Sequence, residues 1–234
     1  MNVRVHLTPP PRGTAGGPGF VGVAIDVLRA TSTLTVAFEH GAARVVPFAE
    51  TAEALAFRAA TPGALACGER DGRKVAGFDL GNSPFEYGAE VVGGRTLAFA
   101  STNGSRAMLA LERCDRVLLG AFVNAPALAR TLLADAAAAG GRVEIVCAGS
   151  LGRPSEEDAA CAGWLCRALA ERGATLEGPE ARRVPEQAPD GAESVRALVH
   201  GASHARALAA LGPEYARDVE WCATFGLLDR VASL

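Results

Sequence analysis

With 234 residues, 49% of them hydrophobic and 21% charged, the chain is long enough to bury a substantial core and has the composition of a soluble globular protein. A formal net charge of −3 gives no basis for a nucleic-acid partner. No apolar run reaches membrane-spanning length without Gly or a charge, and the first residues lack a signal-peptide core, so a cytoplasmic protein with no membrane partner is expected. Six cysteines (Cys67, Cys114, Cys147, Cys161, Cys166 and Cys222) include no Cys-x-x-Cys pair, which excludes a zinc spacing and a small disulfide scaffold. Lys74 is the only lysine, so there is no Gly-Lys-Ser/Thr P-loop.

In chain order, residues 3–7 read as a strand and the Pro/Gly-rich residues 9–19 as a mobile surface loop. The next run, Phe20-Val21-Gly22-Val23-Ala24-Ile25, is a buried strand that stops at Asp26, passes Arg29 and enters the hydroxyl cluster Thr31-Ser32-Thr33. Asp26 then sits at the carboxyl end of a strand, where open α/β sheets place ligands. The hydroxyls begin a helix whose free N–H groups favour an anion. A carboxylate beside an anion hole suits a phosphate if a divalent cation lies between them.

The helix continues over 34–40 and stops at Gly41. A strand follows at 44–48, then a helix capped by Thr51 that runs to 60. Residues 64–67 form a short strand delivering Gly68-Glu69-Arg70 to a polar, glycine-rich loop over 71–82. Ser83-Pro84-Phe85-Glu86 has the spacing of a capping box. A strand at 96–100 ends in Ser101-Thr102-Asn103-Gly104-Ser105 before a helix over 106–112, repeating the small-donor turn seen at Asp26. A strand at 117–119 and a helix over 124–139 follow. The strand at 143–147 leads through Ala148-Gly149-Ser150-Leu151-Gly152-Arg153-Pro154-Ser155-Glu156-Glu157-Asp158 into a helix that reaches 171. Residues 173–191, with three prolines, read as a linker or excursion. Helices over 192–200 and 204–211, broken at Gly201, and segments 214–222 and 227–231 close the chain.

The alternation predicts an α/β fold, layered α/β/α, with a largely parallel or mixed sheet and the site at the carboxyl ends of its strands. One domain over 1–234 is expected, with a two-lobe division near 140 or at 173–191 as the alternative. Three strand-to-helix turns of one character meet on one edge of such a sheet, so Asp26, Asn103 and Glu157 are expected to share a cavity.

These stretches resemble the 2-phosphosulfolactate phosphatase (ComB-type) family of coenzyme M biosynthesis. The resemblance is carried by Ile25-Asp26-Val27-Leu28-Arg29-Ala30-Thr31-Ser32-Thr33, Gly68-Glu69-Arg70, Gly77-Phe78-Asp79-Leu80-Gly81-Asn82-Ser83-Pro84, Thr102-Asn103-Gly104-Ser105, and Cys147-Ala148-Gly149 with Ser155, Glu157, Asp158, Cys161, Ala162 and Gly163. It implies a Mg²⁺-dependent phosphatase that converts 2-phospho-3-sulfolactate to 3-sulfolactate and phosphate. The chain departs from the family's His-Gly-Arg at His204-Ala205-Arg206.

Hydrolysis of a phosphomonoester needs an in-line attacking oxygen and charge to meet the equatorial phosphate oxygens. Asp26, Glu69, Glu157 and Asp158 are the expected Mg²⁺ ligands, with Asp26 and Glu157 catalytic. Donors to the anion are expected from Thr31, Ser32, Asn82, Ser83, Thr102, Asn103, Gly104 and Ser155, with Arg29, Arg70 and Arg153 pairing with phosphate, carboxylate or sulfonate oxygens. Water is the first choice of nucleophile. Cys147, in a Cys-x5-Arg spacing with Arg153, is the second, and phosphorylation of Asp26 the third. His204 reads as structural, with leaving-group acid as its alternative role. Other small phosphomonoesters, such as phospholactate or phosphoglycolate, and a non-catalytic phospho-acid-binding protein are the alternative functions, and a homodimer is the expected assembly.

Overall fold

The protein is described here by a computed structural model covering residues 1–138 and 141–234. Its strands are mostly parallel and flanked by helices, as the alternation predicts, but they divide into two sheets rather than one. In the first sheet β2 (Val21–Ile25) is central. It lies between β7 (Arg116–Gly120) and β8 (Arg142–Cys147), with β1 (Asn2–His6) and then β9 (Thr175–Glu177) outside β8. All five are parallel. Ile25 is in register with Gly120 on one side and Cys147 on the other, so the carboxyl ends of the three strands are level. The second sheet runs β3 (Arg44–Phe48), β6 (Thr96–Ala100), β4 (Leu65–Arg70), with the two-residue β5 (Arg73–Lys74) antiparallel at its edge. Gly68 lets β4 approach β6: its φ is +126°, and a Cβ there would lie 1.9 Å from the Ala100 carbonyl oxygen.

Two helices fill the space between the sheets. They are α1 (Ala30–Glu39) and, after α2 (Thr51–Ala60) and the short α3 (Ala89–Val92), α4 (Gly104–Ala110). Leu34 and Phe38 of α1, Met108 and Leu111 at α4, Leu119 of the first sheet and Leu97 and Phe99 of the second pack into one core. Every residue of α1 from Ala30 to Phe38 is buried. Each large apolar side chain in this layer contributes roughly 1.5–3 kcal/mol by leaving water. The outer face of the first sheet carries Val23, Ile25, Ile145 and Cys147, packed against α5 (Ala125–Ala138) and α6 (Glu156–Ala170) and joined by buried residues that follow them in the chain. The predicted last residue of α5, Ala139, and a lobe division at 140 lie outside the described residues.

Residues 173–191 are not a bare linker. They add β9 to the sheet edge and then form α7 (Gly178–Arg183), whose Ala181 is fully buried, with Val184 just beyond it. The 9–19 loop is pinned, with the Gly13 and Ala15 N–H groups donating to the carbonyls of Leu109 and Ala110 and Ala15 buried. Thr51 opens α2 rather than capping it, since Glu50 holds the cap position and its N–H donates to Glu53. The capping box at Ser83 also fails: Glu86 accepts from the Gly81 N–H instead, and Pro84–Glu86 make a single 3-10 turn. The chain ends with α8 (Ala192–Gly201), α9 (Ser203–Ala209) and α10 (Pro213–Cys222), which reach across the carboxyl edge of the first sheet. Among the described residues no helix is long and apolar enough to cross a membrane.

Candidate active site

The turn after β2 is built to hold Asp26 at the floor of a cavity of about 270 Å³. Thr31 closes it: its hydroxyl accepts the Asp26 N–H at 2.9 Å and lies 2.8 and 2.6 Å from the Asp26 and Gly120 carbonyls. Ser32 donates to Val27 O and Thr33 to Asn82 O. A helix buried on every side must satisfy its hydroxyls internally. Thr31 and Ser32, expected as donors to an anion, are therefore structural, and neither lines the cavity.

Around Asp26 the cavity is walled by residues from distant stretches, among them Arg29, Glu69, Asn82, Asn103 and His204. Gly104 lies directly against the carboxylate, where a Cβ would sit 2.4 Å from Asp26 Oδ2. Glu69 ties the two loops of the second sheet: Oε1 accepts the Thr102 N–H at 2.7 Å, and Oε2 accepts the Gly72 N–H at 2.7 Å and the Thr102 hydroxyl at 3.1 Å. Arg29, 4% exposed, donates to Asp218 Oδ2 at 2.5 Å and to Gly72 O at 2.6 Å, with its guanidinium 5.1 Å from the Tyr215 ring centroid. Asn82 lines the wall, and its Oδ1 is buried without a hydrogen-bond partner among the described residues.

The remaining predicted residues lie elsewhere. Glu157 stands behind the wall, with Oε1 3.1 Å from His204 Nδ1 and Oε2 buried and unpartnered. Asp26 and Asn103 thus share the cavity as expected, while Glu157 reaches it through His204. Asp158 straps two turns together, accepting the Val27 N–H at 2.8 Å and the Gly149 N–H at 2.9 Å. Arg70 turns away to the carbonyls of Glu69 and Ala49. Ser83 donates to Asp218 Oδ1 at 2.6 Å and acts behind Arg29. Arg153 and Ser155 line a neighbouring hollow. Cys147 is sealed in the core of the first sheet, and burial pushes its thiol well above the ordinary range. A nucleophilic cysteine needs the opposite shift and an open face, so the thiolate route is excluded.

His204 and Asp218 are the residues the sequence reading underweighted or missed. The signal for His204 was the family's histidine at that position. Asp218 sits in a helix with charged neighbours and gives no local sign of burial.

The electrostatics follow from packing several acids out of water. Burial raises the Asp26 carboxyl to about 7, and Glu69 and Glu157 add to the rise while His204 and the Ala30 N–H oppose it. Asp158 is likewise raised, by burial and then by Glu157 and Asp26, against the two N–H groups it accepts. Burial alone lowers the His204 imidazole, but the hydrogen bond and charge of Glu157, with Asp26 and Asp158, carry it above its ordinary value.

Such a cluster suits a cation, yet among the described residues no three His, Cys, Asp or Glu side chains are placed to hold a metal together. The expected cage of Asp26, Glu69, Glu157 and Asp158 is therefore not formed, because Asp158 and Glu69 spend their oxygens on backbone N–H groups and Glu157 lies behind His204. The donor set does fit the sparser coordination of Mg²⁺, one or two carboxylates with water and substrate phosphate, since Asp26 lines the cavity together with Glu69 and Asp71.

The family model described as 2-phosphosulpholactate phosphatase matches residues 10–234. A protein of Thermotoga petrophila named "Probable 2-phosphosulfolactate phosphatase" is 37% identical over 212 residues, covering 91% of this chain and 88% of the relative. Proteins of the same name from Synechococcus sp. RCC307 and Deinococcus radiodurans are 38% and 40% identical, covering 96% and 80% of this chain and 93% and 78% of their own lengths. By the extent of these matches, the chain belongs to the 2-phosphosulfolactate phosphatase family.

Proposed function

We propose that this phosphatase hydrolyses 2-phospho-3-sulfolactate to 3-sulfolactate and inorganic phosphate, with Mg²⁺ bound beside the ester. The observation that carries the reading is the meeting of Asp26, Arg29, Asn103 and His204, from separate stretches of chain, on one cavity of about 270 Å³. A cavity of that size suits a compact ester rather than a drug-sized ligand. The relatives' name points to the same substrate.

Phosphoryl transfer asks little covalent chemistry of the protein and much positioning and charge neutralisation. Asp26 would hold Mg²⁺, which when bound would supply positive charge to the phosphate oxygens. Arg29 adds directed donors, pre-aimed because Asp218 and Gly72 O fix two of its nitrogens. Asn82 and Asn103 offer further polar groups to the same cavity. His204, whose imidazole Glu157 lifts above its ordinary value, gives its proton to the departing alkoxide oxygen while water attacks phosphorus from the other side. The six unpaired cysteines fit a reducing, cytoplasmic setting.

The test is phosphate release by the purified protein from 2-phospho-3-sulfolactate, phospholactate and phosphoglycolate, with Mg²⁺ and again with a chelator. Rapid release from the first ester, abolished by chelation, is expected. Release that survives chelation overturns the metal dependence. Preference for another ester overturns the substrate, and ligand-induced thermal stabilisation without release makes the chain a binding protein.

A further inference from the structure

A second hollow, of about 360 Å³, opens beside the catalytic cavity and shares Ser150, Leu151 and His204 with it. Its own residues include Arg153, Ser155 and Ser203. Ser155 occupies the cap position of α6, a helix of fifteen residues, with φ −101° and ψ 147°. A serine there ordinarily accepts a backbone N–H of the first turn. Here it makes no such bond, and its buried hydroxyl, on a residue 7% exposed, has no partner among the described residues. The Arg153 side chain is exposed and, among the described residues, has neither an acid nor a carbonyl partner. Of the acids beside it, Glu156 turns Oε2 to the Ser203 N–H and hydroxyl and Glu157 turns Oε1 to His204. What remains free is a guanidinium, a hydroxyl and the N-terminal N–H groups of α6, all able to donate.

We propose that this side hollow is the subsite for the sulfonate, the anionic group the substrate carries besides its phosphate and carboxylate, and that Arg153 and Ser155 set the preference for a sulfonated over a plain phospho acid. The proposal rests on the reaction assigned above. With the phosphate in the main cavity beside His204, the carboxylate and the sulfonate each lie one carbon from the ester carbon, and the hollow that shares this histidine is open to one of them; the two esters compared below differ only in the sulfonate and so decide which. A sulfonate stays ionised at every working pH and presents three acceptor oxygens, which match the Arg153 fork, the Ser155 hydroxyl and the start of a helix. Leu151, 82% exposed at the rim common to both cavities, gives the carbon skeleton an apolar edge.

The experiment compares kcat/KM for 2-phospho-3-sulfolactate and for phospholactate, which lacks the sulfonate, in the native protein and in Arg153→Ala, Arg153→Lys and Ser155→Ala. The native protein is expected to favour the sulfonated ester by about tenfold or more, the order expected of charge-assisted hydrogen bonds. Arg153→Ala collapses that ratio towards one, Arg153→Lys restores part of it, and Ser155→Ala reduces it. A native protein with no preference, or a ratio untouched in both alanine variants, overturns the subsite. Calorimetric binding of 3-sulfolactate against lactate separates this from failure of the assigned reaction. If neither ester is hydrolysed the reaction is wrong, and the subsite then stands if the native protein, but not Arg153→Ala, holds 3-sulfolactate about tenfold tighter than lactate. Equal binding of the two acids removes it.

Discussion

His204 Nδ1 lies 3.1 Å from Glu157 Oε1, with the carboxylate almost wholly buried and the imidazole facing the cavity. The carboxylate fixes the ring, and its charge, with that of Asp26 and Asp158, lifts the imidazole above its ordinary value although burial alone lowers it. An acid placed 131 residues from Asp26 in the chain thus orients and charges the histidine that lines the cavity with Asp26.

Replacing Glu157 with Gln removes the charge and keeps the shape. The imidazole then falls back towards or below its ordinary value, because the largest remaining influence is burial, which disfavours the cation. In the pH dependence of kcat the alkaline limb, set by loss of the His204 proton, is expected to move towards acid. The rate drops on the alkaline side, while towards acid pH it approaches that of the native protein. An alkaline limb that stays in place shows that His204 is not the proton donor.

Asp26→Asn is expected to abolish phosphate release and yet to stabilise the metal-free fold. The Asp26 carboxyl titrates near 7 in the folded chain against 3.8 as its ordinary value. Between those values the folded protein holds a proton that the unfolded chain has given up. The cost of ionising the buried group therefore appears as pH rises from about 4 and is complete above about 7, amounting to roughly 4 kcal/mol. Asn carries no charge at any pH. In urea unfolding with a chelator present, the variant's gain over the native protein should be negligible near pH 4 and of that order at pH 8. Equal stabilities at pH 8 contradict it.

Much of this site was legible, and what was not has a physical cause. The apolar run ending at Asp26 could be read because a buried strand and its terminal acid differ sharply in hydropathy. The hydroxyls at 31–33 misled because the composition of an anion cradle is also that of a helix buried on all sides. Only the packing of a second sheet on α1 decides between them. Cys147 and Arg153 have the spacing of a phosphocysteine loop, but spacing carries no information on burial, and the thiol faces the core. Asp218 sits between Arg217 and Val219 in an outwardly amphipathic helix, and its partner Arg29 is 189 residues away.

Cys147→Ala is expected to leave kcat within about twofold of the native value, since the thiol is sealed in the core and held in its protonated form. The substitution removes one buried sulfur and leaves a small void, for which a loss of about 1 kcal/mol in stability is expected. Alanine is chosen over serine because a hydroxyl in that apolar setting would need a partner. Loss of activity by orders of magnitude in a folded Cys147→Ala protein would restore the thiolate mechanism.

Asp218→Ala tests whether Arg29 works because it is held in place. Asp218 receives both the Arg29 guanidinium and the Ser83 hydroxyl, and burial raises its carboxyl while those two bonds favour the charged form. Removing it leaves the Arg29 charge buried with Gly72 O as its remaining acceptor and the Tyr215 ring beside it. Breaking a buried pair from one side costs about 3–5 kcal/mol, which denaturant unfolding will register. The guanidinium, freed to swing towards solvent, no longer meets the phosphate in a fixed direction, so kcat/KM should drop by about tenfold or more even at temperatures where the variant is fully folded. Ser83→Ala is the milder control. It removes one neutral donor from Asp218 and leaves the ion pair, so it should cost about 1 kcal/mol and alter kcat/KM by less than the aspartate variant does. If Asp218→Ala loses stability but retains full activity while folded, the pair is a fold element alone and Arg29 does not need it to bind the ester.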